Sequence, residues 1–113
     1  MGRFILLDEA HRNPMDILLI QEKIRTGEYR FSEHAIKRMI KRGIDRYEVE
    51  EAIFGGELVE TYPDDKYSPS CLICGKTRGG RALHVQASFL PLVVIVTAYE
   101  PDPEEWIEGK IRR

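Results

Sequence analysis

No apolar run in this chain approaches the roughly 20 residues that a bilayer-crossing helix needs, so a helical membrane span is excluded and no membrane partner is expected. The stretch Met1-Gly2-Arg3-Phe4-Ile5-Leu6-Leu7-Asp8 turns acidic too soon for a secretory leader, and we expect a cytoplasmic protein. Cysteine is scarce: Cys71 and Cys74 are the only two in 113 residues, too few for a disulfide framework. Charge of one sign is missing too. The formal net charge is −2, which excludes a bulk polycation that would coat nucleic acid by composition alone. What remains, 42% apolar and 32% charged residues, fits one domain with one core.

The charge that is present comes in blocks. Arg30, Lys37, Arg38, Lys41, Arg42 and Arg46 face only Glu33 and Asp45, six basic residues against two acidic. Glu48, Glu50, Glu51, Glu57, Glu60, Asp64 and Asp65 then follow without a basic residue between them, and Lys66, Lys76, Arg78 and Arg81 reverse the sign again. A charged tail, residues 102–113, closes the chain. Solvated faces that serve solubility explain most such blocks. The first block differs because it shares a helical face. At helical spacing, His34, Lys37, Arg38, Lys41 and Arg42 fall within an arc of roughly 140°, with Ala35, Ile36, Met39 and Ile40 filling the opposite arc.

Capping residues divide the first half into helices. Asn13-Pro14 reads as a cap with proline in the first turn, and Ile17, Ile20 and Ile24 repeat at helical spacing up to Gly27, predicting a helix from Pro14 to Thr26. Residues 1–28 thus form an extension with a helix of its own. Ser32 starts the basic helix and Gly43 ends it. Asp45 and Glu48 have capping-box spacing, Ile44 and Val49 have staple spacing, and Val49, Ala52 and Ile53 mark the buried edge of a third helix that Gly55-Gly56 stops.

After those glycines the apolar period changes to two. Leu58 to Tyr62, Cys71 to Gly75, Ala82 to Phe89 and Leu92 to Tyr99 read as four strands, the last so apolar that a central place is expected. Gly79-Gly80 and Leu90-Pro91 supply short turns, and strands joined so closely must be antiparallel. The expected architecture is α+β: helices packed on one face of a four-stranded antiparallel sheet, with the other face free to bind.

Alternation sends Ala82, His84, Gln86 and Ser88 to one face, and Thr97 with Tyr99 to one side of the last strand. An imidazole, a phenol and guanidinium groups on one surface are what metal-independent RNA cleavage requires: a proton acceptor for the 2′-hydroxyl, a donor for the leaving 5′-oxygen and fixed positive charge for the phosphorane. The candidates are His34, His84 and Tyr99 for the chemistry and Lys37, Arg38, Lys41, Arg42 and Arg81 for phosphate. Each also has an ordinary reading, as a solvated helix residue, a packed histidine or a tyrosine at a strand end. Cys71-Leu72-Ile73-Cys74 is read as buried thiols. A zinc site wants four ligands, His11, His34 and His84 are scattered, and strand residues three apart face opposite ways. No metal and no cofactor is expected.

The segments Phe31 to Ile44, Val49 to Ile53, Gly75 to Val85 and Val96 to Pro101 together resemble the domain of unknown function 4258, over about Tyr29 to Pro101. The family's His-x3-Arg-x3-Arg maps onto His34, Arg38 and Arg42, its Leu-His-Val onto Leu83, His84 and Val85, and its Thr-x-Tyr-x-Pro onto Thr97, Tyr99 and Pro101. The order of elements also resembles the RelE and BrnT toxins. That resemblance implies a toxin-like domain over residues 29–101, an mRNA endoribonuclease activity and a cognate antitoxin as partner. A non-catalytic RNA- or protein-binding module on the same fold is the alternative, and homo-oligomerisation is left open.

Overall fold

The computed structural model describes residues 17–66, 68–89 and 91–113. The Asn13-Pro14 cap and His11 lie outside the described residues, as does Leu90 of the Leu90-Pro91 turn. Helix α1 (Ile17–Thr26) buries Ile20 and Ile24 as its periodicity requires. Helix α2 (Glu33–Arg42) starts where the Ser32 hydroxyl accepts the Ala35 amide at 3.0 Å and stops at Gly43, whose φ of 65° is left-handed. Helix α3 (Arg46–Phe54) carries both halves of its capping box, Asp45 accepting from the Glu48 amide and Glu48 from the Asp45 amide, at 2.9 and 3.1 Å. Ile44 and Val49, the staple pair, are both buried in the main apolar cluster.

Five strands, not four, make the main sheet. They are β1 (Tyr29–Phe31), β2 (Glu57–Tyr62), β3 (Ser70–Lys76), β4 (Ala82–Ser88) and β5 (Val93–Tyr99), in the spatial order β1-β5-β4-β3-β2. The four expected strands pair antiparallel in sequence order, but β1 adds itself parallel to β5, pairing Tyr29 with Val93 and Phe31 with Ile95, so the sheet is mixed. Three residues with no alternation of their own carry no strand signal; the packing of α1 on α3 and of α2 on β5 sets the chain between those two helices beside β5. That docking also gives β5 its interior place. In a meander of four it would be an edge; here β1 covers its first half. The strand buried along nearly its whole length is β3.

Helices α2 and α3 cover one sheet face, where Cys71, Ile73, Leu83, Val85, Ala87, Ile95 and Ala98 meet Ala35, Met39, Val49, Ala52 and Ile53. The opposite face is not simply free. The tail carries a small hairpin, β6 (Trp106–Ile107) and β7 (Ile111–Arg112), turned through Glu108 and Gly109 at positive φ. It lies over His84, with Trp106 only 3% exposed. On α2 the expected division also shifts. Ala35 and Met39 are buried, but Ile36 and Ile40 stand 46% and 75% exposed. The helix turns its Ala35–Met39 line to the sheet, and a side chain 100° away from that line cannot be covered by it.

Candidate nucleic-acid interface

Along α2, His34, Lys37, Arg38 and Lys41 are exposed and line one shallow recess together with Ile40. None of the four has a hydrogen-bond or ion-pair partner among the described residues, and the same holds for Arg30 on β1. Most cations elsewhere are neutralised: Lys23 by Glu28, Arg25 by Glu22, Arg46 by Glu50, Arg78 by Glu51, Lys110 by Glu57 and Arg112 by Glu60. Among the described residues, cations without a carboxylate partner thus cluster on one helix and the strand before it, with Lys76 and Arg113, which bonds the Pro103 carbonyl, lying apart.

Arg42 extends this stripe to the sheet edge. Strand β1 pairs only as far as Ile95, which leaves the Ala98 carbonyl of β5 without a strand neighbour. The Arg42 Nη1 donates to that carbonyl at 2.8 Å and to Thr97 Oγ1 at 3.4 Å, and its guanidinium carbon stands 5.8 Å from the centre of the Tyr99 ring. The other terminal nitrogen and Nε of Arg42 have no partner among the described residues.

Arg81 is placed differently from expectation. Its Nε donates to Glu100, Nη1 to the Gly43 carbonyl at 2.8 Å and to Glu48 at 3.2 Å, and Nη2 to the Arg42 carbonyl at 2.9 Å. A guanidinium so occupied ties the end of α2 to the start of α3, with four of its five N–H donors committed inside the protein and only one, on Nη2, left over. Replacing it by methionine is expected to cost about 2 kcal/mol, because two charge-assisted carbonyl bonds are lost while the partly exposed ion pairs add little. A urea midpoint unchanged in Arg81→Met would contradict this.

His84 is also withdrawn from solvent, at 0% exposure. Its Nε2 donates to the Gly109 carbonyl at 2.6 Å, so Nδ1 is the acceptor for the Tyr99 hydroxyl at 3.3 Å. The imidazole lies edge-on to both the Tyr99 and Trp106 rings, centroids 5.3 and 4.6 Å away. Burial pushes its pKa down, so it is neutral, and burial pushes the Tyr99 phenol up, so it stays protonated. The structure therefore joins Tyr99 to His84 and to Arg42, while His34 stays on the α2 surface and His84 reaches no water.

Beside this pair lies a group that the motif reading does not single out. Arg112 holds the Glu60 carboxylate through two bonds, at 2.6 and 3.2 Å, and stacks 4.5 Å from the Trp106 ring centre, while the Tyr62 hydroxyl donates to Glu60 at 2.6 Å. The Arg112 bonds hold the Glu60 carboxyl below its usual range. The one available signal was Trp106, the sole tryptophan, set in an otherwise charged tail. The two thiols divide as their spacing predicts: Cys71 belongs to the cluster under the helices, whereas Cys74 pairs in register with His84 on the other face. Burial raises both, Cys71 to about 12. No cluster of metal-ligating side chains occurs among the described residues.

These features define a class: a small α+β domain with a mixed sheet, helices on one face and an unneutralised basic helix at the edge. Residues 31–100 match the family model "Domain of unknown function (DUF4258)", and the chain belongs to that family. The match runs from Phe31, the last residue of β1, through β5 and stops before the hairpin over His84. No curated protein and no solved structure matches the chain.

Proposed function

We propose that this protein is an RNA-binding member of the toxin-like group, gripping the sugar-phosphate backbone along α2. The observation that carries this reading is the set of cations without carboxylate partners, Arg30, Lys37, Arg38 and Lys41, joined at the sheet edge by Arg42. Unpaired cations on a rigid element release counterions when they meet phosphates, and that release is the main source of sequence-independent affinity. Tyr99, next to Arg42, offers a ring on which an unpaired base stacks.

Cleavage is the second reading, favoured by the Arg42–Tyr99–His84 chain of contacts. The 2′-oxygen attacks phosphorus and the 5′-oxygen leaves with the Tyr99 proton, giving a 2′,3′-cyclic phosphate. Arg42 stabilises the charge that develops between these events. His34 begins the helix that Arg42 ends, about 12 Å away along its axis, so the 2′-hydroxyl proton passes to water in this reading, and His84 positions the phenol. In the RelE and BrnT pattern a cognate antitoxin restrains this activity.

Binding of a labelled single-stranded RNA in chelator tests both. Replacing Lys37, Arg38 and Lys41 together by glutamine is expected to weaken binding about a hundredfold near physiological salt and to flatten the logarithmic salt dependence by about three phosphate contacts. Unchanged affinity and slope overturn the binding reading. Tyr99→Phe keeps affinity in either case, and cleavage that survives it overturns the assignment of Tyr99.

A further inference from the structure

The outer face of α2 carries a feature that phosphate does not call for. Ile36 and Ile40, one helical turn apart, are 46% and 75% exposed and stand next to Lys37 and Lys41. Both lie outside the buried cluster that Ala35 and Met39 enter, so they add nothing to the core. Local folding does not ask for them either, because a β-branched side chain on an exposed helical position is less favourable than alanine. Ile40 lines the same recess, about 480 Å³, as His34, Lys37, Arg38 and Lys41. A nucleic-acid backbone presents no aliphatic surface to two isoleucines. A polypeptide with carboxylates and aliphatic side chains on one face satisfies every group present.

We infer that α2 docks an acidic amphipathic segment of a partner protein, with its carboxylates on Lys37, Arg38 and Lys41 and its aliphatic side chains on Ile36 and Ile40. Charge complementarity selects this occupant: no carboxylate of the described residues neutralises these cations, and the two isoleucines supply the apolar half of the contact. Because the cations are those assigned above to RNA, the segment and RNA exclude one another. That exclusion rests on the RNA reading, whereas the docking itself does not.

The test uses a labelled synthetic helical peptide with glutamate and leucine at i, i+3 and i+4 spacing, a peptide of the same composition in scrambled order, and oligouridylate RNA. The ordered peptide is expected to bind and to displace the RNA, and the scrambled one to bind about tenfold less tightly. Ile36→Ser with Ile40→Ser is expected to weaken the ordered peptide about tenfold while leaving RNA affinity unchanged. Both side chains are exposed, so the double variant should melt with the parent, which thermal denaturation checks. Equal binding of the two peptides, or no loss in the double variant, overturns the inference, because the face would then be selecting charge alone. RNA that binds while the ordered peptide does not also overturns it. A peptide that binds when RNA does not overturns the RNA reading and leaves the docking intact.

Discussion

Gly75→Ala is expected to remove about 4 kcal/mol of stability and to leave little folded protein at 37 °C. Gly75 sits in β3 where α3 crosses it, and a methyl group built there would stand 1.9 Å from the Ala52 carbonyl oxygen and 2.9 Å from the Gly56 Cα. Both obstacles are backbone, so no side-chain rotation relieves the clash, and α3 would have to lift from the sheet. Lifting it uncovers Val49, Ala52 and Ile53, all fully buried. Gly56 faces the same constraint from the other side, with its hypothetical Cβ at 2.5 Å from the Ala52 carbonyl oxygen. Gly79→Ala is the control, since the nearest atom there is Thr77 Oγ1 at 3.8 Å. Urea midpoints measured side by side decide the matter, and a Gly75→Ala protein as stable as Gly79→Ala would refute the close approach of helix and sheet.

His84→Ala is expected to cost about 3 kcal/mol and to remove part of the protein's acid sensitivity. The variant orphans the Gly109 carbonyl and the Tyr99 hydroxyl and empties the space between the Tyr99 and Trp106 rings. The sign of the pH dependence follows from burial. Desolvation holds the folded imidazole below its ordinary value, against the opposing pull of Gly109 and Glu60, so the unfolded chain binds the proton first as pH falls. The stability contributed by neutral His84 is therefore complete above about pH 6.5, the unfolded value, and is lost as the pH drops from there toward the folded pKa. Denaturant midpoints from pH 8 to pH 5 should fall less steeply for His84→Ala than for the parent chain. Parallel curves would show that His84 is not held neutral by the hairpin.

The helical half of this protein was legible because its signals are local. Ser32, Gly43, Asp45 and Glu48 act on amides within four residues of themselves, so their spacing in the chain is already their geometry. The four long strands were legible for a related reason: alternation and tight turns such as Thr77 to Arg81 need no distant partner. The third residue pattern read correctly was Cys71 and Cys74, whose odd spacing along a strand forced them to opposite faces. Strand β1 had no such signal. Its pairing with β5 joins residues more than 60 positions apart.

The candidate site divides along the same line. That His34, Lys37, Arg38 and Lys41 share a face was set by the 3.6-residue period. That they stay unpaired was not, because neutralisation depends on which carboxylates the fold brings near. Arg81 shows the opposite outcome: four positions from the hairpin's Thr77 it reads as a free cation, yet folding places Glu48, Glu100 and two carbonyls around it. His84 likewise reads as a polar strand residue on an open face until the hairpin at Trp106 closes over it. By itself, then, the sequence determined the elements, their caps and the grouping of side chains on each face, since those follow from rotation per residue. Only the tertiary structure decided which charged groups remain available, because burial and ion pairing are relations between segments far apart in the chain.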